Sequence, residues 1–496
     1  MSGAPPDAAA PDEATPALKN TLSGRHVTMI ALGGIIGAGL FVGSGPAINT
    51  AGPGVILSYL LSGILIILVI RGVGEMAVAR PAIGSIAEYP RLALGQWAGF
   101  TVGWVYWYFW VVIAAVEAVG GAGILARHIP SVPSWAISLV LMLVMTAINL
   151  FSVKMFGEAE FWFASIKVVA IVVFLGICGL YLLGLWETSP GLSGLTDHGG
   201  FFPHGGLAVI VAAVSIMFSM GGAEIATIAA AESKDPGRLA GRATRQVMTR
   251  VMVFYVASIT AIVLVIPWNA TNFTGEGVQS PFTVALAHMG IPFVSVVMEI
   301  VIVTAVLSSL NSCLYITSRT LFGLGRFHDA PQGLTRLNRR RVPSRAILAG
   351  TAGGYIAVIF NYFFPDQIFA FLLTSSGALM LMYYILLMAA QIRLRRRLQR
   401  TDPGSLQLKM WGFPYVSYLA VGWMVAVLGI MLWLPSTRLQ VILGAVSIGV
   451  VLLAYLPRKR FGRAAPPVRT RPDFVPGGSE LAAHDGAGEP GQPAVR

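Results

Sequence analysis

The chain has 496 residues, of which 55% are hydrophobic and only 11% are charged. Soluble domains carry about 25% charged residues, so this composition excludes an ordinary water-soluble enzyme. A formal net charge of +12 would suggest nucleic acid binding in a soluble protein. Here it indicates basic loops at the cytoplasmic face of a lipid bilayer, with no nucleic acid partner.

Twelve apolar stretches are long enough to cross a bilayer, which takes about 20 residues in a helix. Backbone groups in lipid must be satisfied internally, and runs of this length without a two-residue alternation form helices. The sequence therefore predicts an all-α polytopic membrane protein with 12 transmembrane helices. The predicted spans cover residues 27–49, 53–73, 99–125, 133–152, 162–185, 207–231, 247–267, 283–313, 344–363, 367–391, 413–434 and 438–456.

Basic residues alternate between the connections of these spans. They precede span 1 and follow every even-numbered span, with Lys154 alone after span 4 and a cluster after span 6 that includes Arg250. The loops that follow the odd-numbered spans have almost no basic residues, and Arg127 and Arg438 are the exceptions. This asymmetry predicts that both termini are cytoplasmic. We expect a disordered N-terminus over residues 1–24, a transporter domain over 25–463 and a disordered Pro/Gly/Ala-rich tail over 464–496.

Span 1 is unusually rich in glycine, with six glycines between Gly33 and Gly45. A dinucleotide-binding fingerprint is excluded because it needs a preceding strand and a βαβ unit. Two interpretations stay open. Pairs spaced by four, such as Gly39 and Gly43, would let helices pack closely. Alternatively, the helix is broken and its freed N–H groups face a binding cavity.

A second interruption in span 6 favours the broken-helix interpretation. The segment from Phe218 to Glu224 reads Phe-Ser-Met-Gly-Gly-Ala-Glu in the middle of an apolar run. Interrupted helices five spans apart are typical of an inverted repeat with a substrate site where they meet. We therefore predict a five-plus-five inverted repeat with broken helices 1 and 6.

Ionisable residues are few within the predicted spans, and the candidates among them are Glu117, Lys167, Glu224 and Glu299. A charged residue at the bilayer centre costs about 2.5–3.5 kcal/mol on insertion scales, so each is a functional candidate, with a satisfied structural pair as the alternative. A proton-driven carrier needs a group whose protonation changes with its conformation. We expect Glu224 to couple protons to substrate, Lys167 to control the conformation, and Glu117 to be the third candidate.

Two other features have structural interpretations. Arg71 and Glu75 are four residues apart near a helix end, which predicts an ion pair between them. The aromatic run in span 3 includes Trp104 and Trp107, which suit a membrane-interface belt. The remaining aromatics of that run cannot all share one helix face, so one or two are expected to line the cavity.

The sequence predicts no metal site and no cofactor. Its seven histidines are scattered without a pair spaced by four, and its two cysteines are isolated. It also has no phosphate-binding loop, so ATP is not the energy source. An intramembrane enzyme and a channel are the rival classes. The first needs a catalytic cluster that the sequence does not display, and the second would show no counterflow exchange.

With these motifs in hand, the chain resembles the bacterial amino acid permeases of the amino acid–polyamine–organocation superfamily, and most of all their 4-aminobutyrate (GABA) permease branch. The resemblance covers Leu22 to Pro457. It rests on the span 1 glycines, the Gly74-Glu75-Met76-Ala77 and Gly157-Glu158-Ala159-Glu160-Phe161-Trp162 motifs, the run from Glu224 to Ser233, and the run from Asn311 to Arg319.

The resemblance implies proton-coupled import of a zwitterionic amino acid, such as GABA, across a bacterial inner membrane. An exchanger, or an importer of a different neutral or aromatic amino acid, is the alternative. The implied partners are the amino acid, protons and the lipid bilayer, and the sequence makes no prediction of oligomeric state. Glycines follow Glu117 where bulkier residues are expected in this branch, which predicts a reshaped cavity.

The resemblance also implies roles for individual residues. Backbone N–H groups of the span 1 break would bind the substrate carboxylate, and freed carbonyls of both breaks would bind its ammonium. Phe218 would gate the site, and Lys167 would take the place of a sodium ion near Ser308 and Ser309. The residues implied for binding are Ile35, Ile36, Gly37, Ala38, Gly39, Phe218, Ser219 and Gly221.

Overall fold

A computed structural model describes residues 36–81, 85–151, 153–185, 191–222, 224, 236–269, 273, 279–291, 293–338 and 342–461. Over these ranges the secondary structure is entirely helical. Nine helices of the described part are long and apolar enough to cross a membrane. The predicted disordered ends, residues 1–24 and 464–496, lie outside the described residues. The protein is thus a helical, polytopic membrane protein.

Sixteen α-helices follow one another along the described chain. They are α1 (Ala38–Phe41), α2 (Ser44–Ala51), α3 (Val55–Ala79), α4 (Glu88–Leu94), α5 (Gln96–His128), α6 (Ser134–Phe151), α7 (Val153–Leu182), α8 (Gly206–Met217), α9 (Pro236–Arg250), α10 (Ser258–Val265), α11 (Pro281–His288), α12 (Val294–Arg326), α13 (Ser344–Phe363), α14 (Pro365–Thr401), α15 (Tyr415–Trp433) and α16 (Pro435–Phe461). A π-helical segment, Val251–Ala257, joins α9 to α10.

The predicted bounds of span 8, residues 283–313, are wrong. The structure has a separate short helix, α11, and a long helix, α12, that begins at Val294. Gly290 and Phe293 both adopt positive φ angles, which end one helix and orient the next. The long helix also continues past residue 313 to Arg326, because its polar residues face other helices rather than marking its end.

Helix α5 occupies the centre of the bundle. It is the most buried of the candidate spans, and its most extensive contact is with α12. Glycines make this close approach possible. A Cβ atom at Gly103 would lie 2.6 Å from Leu324, and one at Gly121 would lie 2.6 Å from Val306. Small residues at such positions let two helix backbones pack closely within a membrane.

A buried ion-pair network ties the last helix to the central one. Asp329 pairs with Arg91 and, at 3.0 Å, with Arg458 of α16. Trp104 donates its indole N–H to the Asp329 carbonyl at 3.1 Å, so this tryptophan holds a loop instead of only facing the membrane interface. Burial raises the pKa of Asp329 above its ordinary value, against the opposite effect of the two arginines.

Replacing Asp329 with asparagine is expected to destabilise the protein strongly. The variant leaves Arg91 buried without its carboxylate partner, and breaking a buried ion pair in this way costs about 3–5 kcal/mol. The midpoint of thermal unfolding in detergent should fall clearly. Asp402→Asn is the matched control, because its pair with Arg80 lies at the surface, and it should leave the midpoint unchanged. Equal midpoints for both variants would contradict the structural role of Asp329.

The predicted pair between Arg71 and Glu75 is wrong. Glu75 instead pairs with Arg395 at 3.1 Å and accepts a hydrogen bond from Gln391. Arg71 donates to the Lys409 carbonyl at 2.9 Å. Both side chains therefore contact the α14–α15 region, which lies more than 300 residues along the chain. A spacing of four predicts only that two side chains share a helix face. Here α14 supplies the partner of Glu75, and the loop after α14 supplies the partner of Arg71.

Candidate functional site

The glycine-rich start of the described chain is not a continuous helix. Gly37 is extended, α1 begins at Ala38 and contains only four residues, and α2 begins at Ser44 after a turn. Ser280 donates its hydroxyl to the Phe41 carbonyl, which satisfies one acceptor freed by this turn. Ile36 to Gly39 are fully or almost fully buried, and Ile35 lies outside the described residues.

The predicted interruption of span 6 is confirmed. Helix α8 ends at Met217, a single 3-10 turn spans Phe218–Met220, and the chain then becomes extended at Gly221. Gly222 has a φ of 80°, a conformation that favours glycine. Backbone carbonyls of this turn are therefore released from α-helical hydrogen bonding.

The two interruptions lie against each other. A Cβ atom at Gly39 would lie 2.6 Å from the Cβ of Ser219 and 2.7 Å from the Phe218 ring. The absence of a side chain at Gly39 is thus what allows the breaks to meet. Gly221 faces elsewhere, toward Met380 of α14 and Phe109 of α5.

Two buried residues that the sequence analysis did not select hold the second break. Tyr255 donates its hydroxyl to the Ser219 carbonyl at 2.5 Å, and Arg250 donates to the Met220 carbonyl at 2.9 Å. Arg250 was counted with the basic loop after span 6, which is wrong, since its side chain is 1% exposed. The sequence signal that could have identified Arg250 as buried is its position at the edge of an apolar run.

The π-helical segment lets both residues reach neighbouring carbonyls. Hydrogen bonds in a π-helix join residues five apart, so Arg250 and Tyr255 lie on the same side of the helix. In a regular α-helix, five residues would place them about 140° apart. Single π turns of this kind are frequent at functional sites.

Glu117 of α5 binds the first break directly. Its Oε2 accepts the Ala38 N–H at 2.8 Å, and its Oε1 accepts the Ser309 hydroxyl at 2.9 Å. A Cβ atom at Gly37 would collide with this carboxylate and with Ser309. The side chain is only 2% exposed. Glu117 therefore links α1, α5 and α12 at the break.

Lys167 also contacts helix α12, through a different serine from the one that Glu117 bonds. Its ammonium donates to Ser308 Oγ at 2.8 Å, and the Ser308 hydroxyl donates to Glu160 Oε1 at 2.6 Å. Lys167 Nζ and Glu160 Oε1 are 4.0 Å apart, and both side chains are fully buried. Of the two serines that the resemblance implied near Lys167, Ser308 bonds it and Ser309 bonds Glu117. Glu160 was missed as a site residue.

Glu224 belongs to a separate polar cluster. Tyr384 of α14 donates its hydroxyl to Glu224 Oε2 at 3.5 Å, and Tyr106 of α5 also faces the carboxyl. The rings of Tyr106 and Tyr383 pack edge to face, 5.5 Å apart. Two members of the span 3 aromatic run thus reach candidate site residues, Tyr106 at Glu224 and Phe109 at Gly221. The structure brings Glu117 and Lys167 together and gives Glu224 other neighbours.

The glycines after Glu117 border a cavity of about 320 Å³. Gly120 and Gly123 line it together with Val42, Phe369 and Arg127. A Cβ atom at Gly120 would lie 3.0 Å from Ala38, whereas one at Gly123 would meet nothing within 4 Å. This cavity runs from the first break toward the end of α5, and its width depends on the absence of side chains.

Glu299 is a structural partner of two residues at the end of α5. Its carboxylate contacts Arg127 at 3.1 Å and His128 at 2.7 Å. Arg127 is one of the two basic residues that interrupt the charge alternation of the loops. The pair with Glu299 explains that exception, because the charge is neutralised within the bundle.

Long apolar helices around buried carboxylates, with two interrupted helices in contact, place this chain among the polytopic membrane proteins. The chain matches the amino acid permease family over residues 26–466, and it belongs to that family. It is 44% identical to the gamma-aminobutyric acid permease of Bacillus subtilis, over 92% of this chain and 98% of that protein.

Two further relatives are similar to this chain over most of its length. The chain is 42% identical to the gamma-aminobutyric acid permease of Escherichia coli, over 87% of this chain and 92% of that protein. It is 37% identical to the aromatic amino acid transport protein AroP of Corynebacterium glutamicum, over 87% of this chain and 94% of that protein. The resemblance to the GABA permease branch is therefore confirmed.

Proposed function

We propose that this protein is a proton-coupled permease that imports a zwitterionic amino acid, with GABA as the first candidate. The amino acid permease family supports transport, and the relatives named GABA permeases support the substrate. Coupling to protons is supported by the buried Glu117, Lys167 and Glu224, which are surrounded by polar partners inside an apolar bundle. Such groups are expensive to bury and are typically retained for function.

The proposed architecture has twelve transmembrane helices in a bacterial inner membrane, with both termini in the cytoplasm. Spans 1–5 and 6–10 would form the two inverted repeats, within a transporter domain over residues 25–463. The contact between Gly39 and the Phe218–Ser219 turn supports this arrangement, because a site between repeats is formed where the broken helices meet.

One observation carries the proposed substrate site: the Glu117 carboxylate lies 2.8 Å from the Ala38 nitrogen. The backbone at this break therefore already accommodates a carboxylate. We propose that the N–H groups from Ile36 to Gly39 bind the carboxylate of the substrate, which would replace Glu117 there. Exchange of one carboxylate for another keeps the buried N–H group satisfied.

The proposed ammonium site is the carbonyl group of Ile35 together with the Phe218–Gly221 turn. Tyr255 and Arg250 each use one lone pair of the Ser219 and Met220 carbonyls. A carbonyl oxygen has two lone pairs, so each can still accept a hydrogen bond from an ammonium. We propose that Phe218, which is 3% exposed and lies against Gly39, would cover a bound substrate.

The decisive test uses purified protein in proteoliposomes with an imposed pH gradient and radiolabelled GABA. Proton-coupled import predicts accumulation that follows the gradient and disappears when a protonophore is added. Accumulation that depends on sodium and ignores the pH gradient would overturn the coupling. Counterflow exchange separates a carrier from a channel, since a channel shows no stimulation by substrate on the opposite side.

The second candidate function is exchange, or import of another neutral or aromatic amino acid. The glycine-lined cavity beside Ala38 favours this candidate, because it offers space beyond that needed by a short linear substrate. A competition screen of the twenty amino acids and GABA against uptake decides between them. Strong competition by aromatic amino acids with little by GABA would favour the alternative.

Glu224→Gln is expected to flatten the pH dependence of uptake while exchange continues. The amide keeps the shape of the side chain and can still accept from Tyr384, but it cannot titrate. Gradient-driven uptake should fall by roughly tenfold, the effect of about 1.4 kcal/mol. The measurement is uptake and counterflow across a pH series. Tyr384→Phe is the control for loss of the hydrogen bond alone, and an unchanged pH profile in Glu224→Gln would exclude this residue.

A further inference from the structure

The position of Glu160 indicates a role in transport rather than a purely structural role. It lies on α7 seven residues before Lys167, so the two side chains project from the same helix face two turns apart. The Ser308 hydroxyl joins them, accepting from Lys167 at 2.8 Å and donating to Glu160 at 2.6 Å. Glu117 binds the next serine of α12, Ser309.

The charges of this cluster do not balance if every group is ionised. Two carboxylates and one ammonium, all at most 2% exposed, would leave one net negative charge in the bundle interior. Among the described residues, the other titratable groups that face the cluster are Cys313 of α12 and Tyr255 of the π segment, and neither supplies a positive charge. Burying an uncompensated charge is strongly unfavourable. A proton on one of the two carboxyl groups would remove this charge.

Hydrogen bonding distinguishes the two carboxyl groups. Glu117 Oε2 faces the Ala38 N–H, which can only donate, and its Oε1 accepts from Ser309. Both oxygens of Glu117 thus act as acceptors, as an ionised carboxylate does. Glu160 Oε1 also accepts, from Ser308, but Glu160 Oε2 has no hydrogen-bond partner in the described part of the chain.

The surroundings of Glu160 Oε2 suit a proton on that atom. The Ser312 hydroxyl of α12 faces the Glu160 carboxyl, and its Oγ likewise lacks a partner among the described residues. A protonated Oε2 would be a donor, and Ser312 Oγ would be its acceptor. An ionised Oε2 would need the Ser312 hydroxyl to donate to it instead, and the cluster would keep its uncompensated negative charge.

We propose that Glu160 is a proton-binding site of the carrier and that it holds the coupled proton in this conformation, with Ser312 as its acceptor. The inference rests on the proposed proton coupling and adds a residue to it. When Glu160 releases this proton, two carboxylates remain beside the single ammonium of Lys167. That charge disfavours the closed packing of α7 against α12, which ties proton release to a change of conformation.

Proton movement in proteoliposomes tests the proposal. A pH-sensitive dye trapped in the lumen reports protons that enter when GABA is added outside, and counterflow of radiolabelled GABA reports substrate exchange. Glu160→Gln should lose GABA-driven proton entry, with counterflow kept within about twofold. Ser165→Ala on the same helix is the control, because its hydroxyl donates to the Phe161 carbonyl of its own helix. Normal proton entry in Glu160→Gln would overturn the proposal.

Infrared difference spectroscopy of the purified protein supplies a readout that does not depend on transport. The carbonyl stretch of a protonated carboxyl group should be present in the wild type, persist in Glu117→Gln and be absent from Glu160→Gln. If Glu160→Gln does not fold, Ser312→Ala should shift this band by removing its acceptor. A band that disappears only in Glu117→Gln would overturn the assignment. Absence of GABA-driven proton entry in the wild type would instead overturn the proposed function itself.

Discussion

Replacing Gly39 with valine is expected to abolish transport while the protein still folds. The new side chain would begin 2.6 Å from Ser219 and 2.7 Å from the Phe218 ring, so the two interrupted helices could no longer meet. A misplacement of about 1 Å between binding groups can cost 10²-fold in rate, and uptake should fall by about that factor or more. Uptake of radiolabelled GABA and equilibrium binding measure the loss.

A second glycine provides the matched control. Gly176 lies on α7, and a Cβ atom there would meet nothing within 4 Å. Gly176→Val should transport normally, and both variants should elute as single species in size-exclusion chromatography. Unchanged GABA affinity in Gly39→Val would mean that the glycines of span 1 serve helix packing and do not form the substrate site.

Lys167→Ala is expected to lose accumulation of substrate against a gradient. The change removes the only basic side chain found near Glu117 and Glu160 in the described structure, and it leaves Ser308 without its donor. Both carboxyl groups must then be protonated to remain buried, so their protonation no longer follows the transport state. Radiolabelled GABA should equilibrate across the membrane but not accumulate when a pH gradient is imposed.

The resting conformation should shift in the same variant. Labelling of Gly123→Cys by a thiol reagent reports access to the glycine-lined cavity, since Gly123 lines it and both native cysteines are buried. The labelling rate of Gly123→Cys should differ between a protein that retains Lys167 and one that carries Lys167→Ala. A protein that carries Ser165→Ala is the control and should be labelled at the same rate as the first. Wild-type accumulation and wild-type labelling in Lys167→Ala would remove this residue from the coupling mechanism.

The sequence predicted the features that depend on composition and on local breaks in pattern. Apolar run length was sufficient to place helices such as Ser344–Phe363, whose bounds agree with the structure. Clusters of glycine in two apolar runs correctly located the interruptions at Val42 and Gly43, and at Gly221. The high cost of burying charge selected Glu117, Lys167 and Glu224, which are all buried.

Partners across the fold could not be predicted, because they depend on how helices are rotated and which helices are neighbours. Ser309 binds Glu117 from 192 residues away, and no local pattern contains that information. For the same reason, the sequence could not predict that Glu75 pairs with Arg395 and not with Arg71. Glu160 did carry a signal, its two-turn spacing from Lys167, but that spacing has meaning only once both are known to face α12.

The π-helical segment makes the length of the chain between α9 and α10 a determinant of the site. It contains one residue more than an α-helix would use to join the same two positions. Removing Val256 or Ala257 would let the segment become α-helical while the flanking helices keep their orientation, and Arg250 and Tyr255 would then lie about 140° apart. Arg250 and Tyr255 would then point to different parts of the bundle. An insertion or deletion of one residue here therefore changes the site more than most substitutions within the segment.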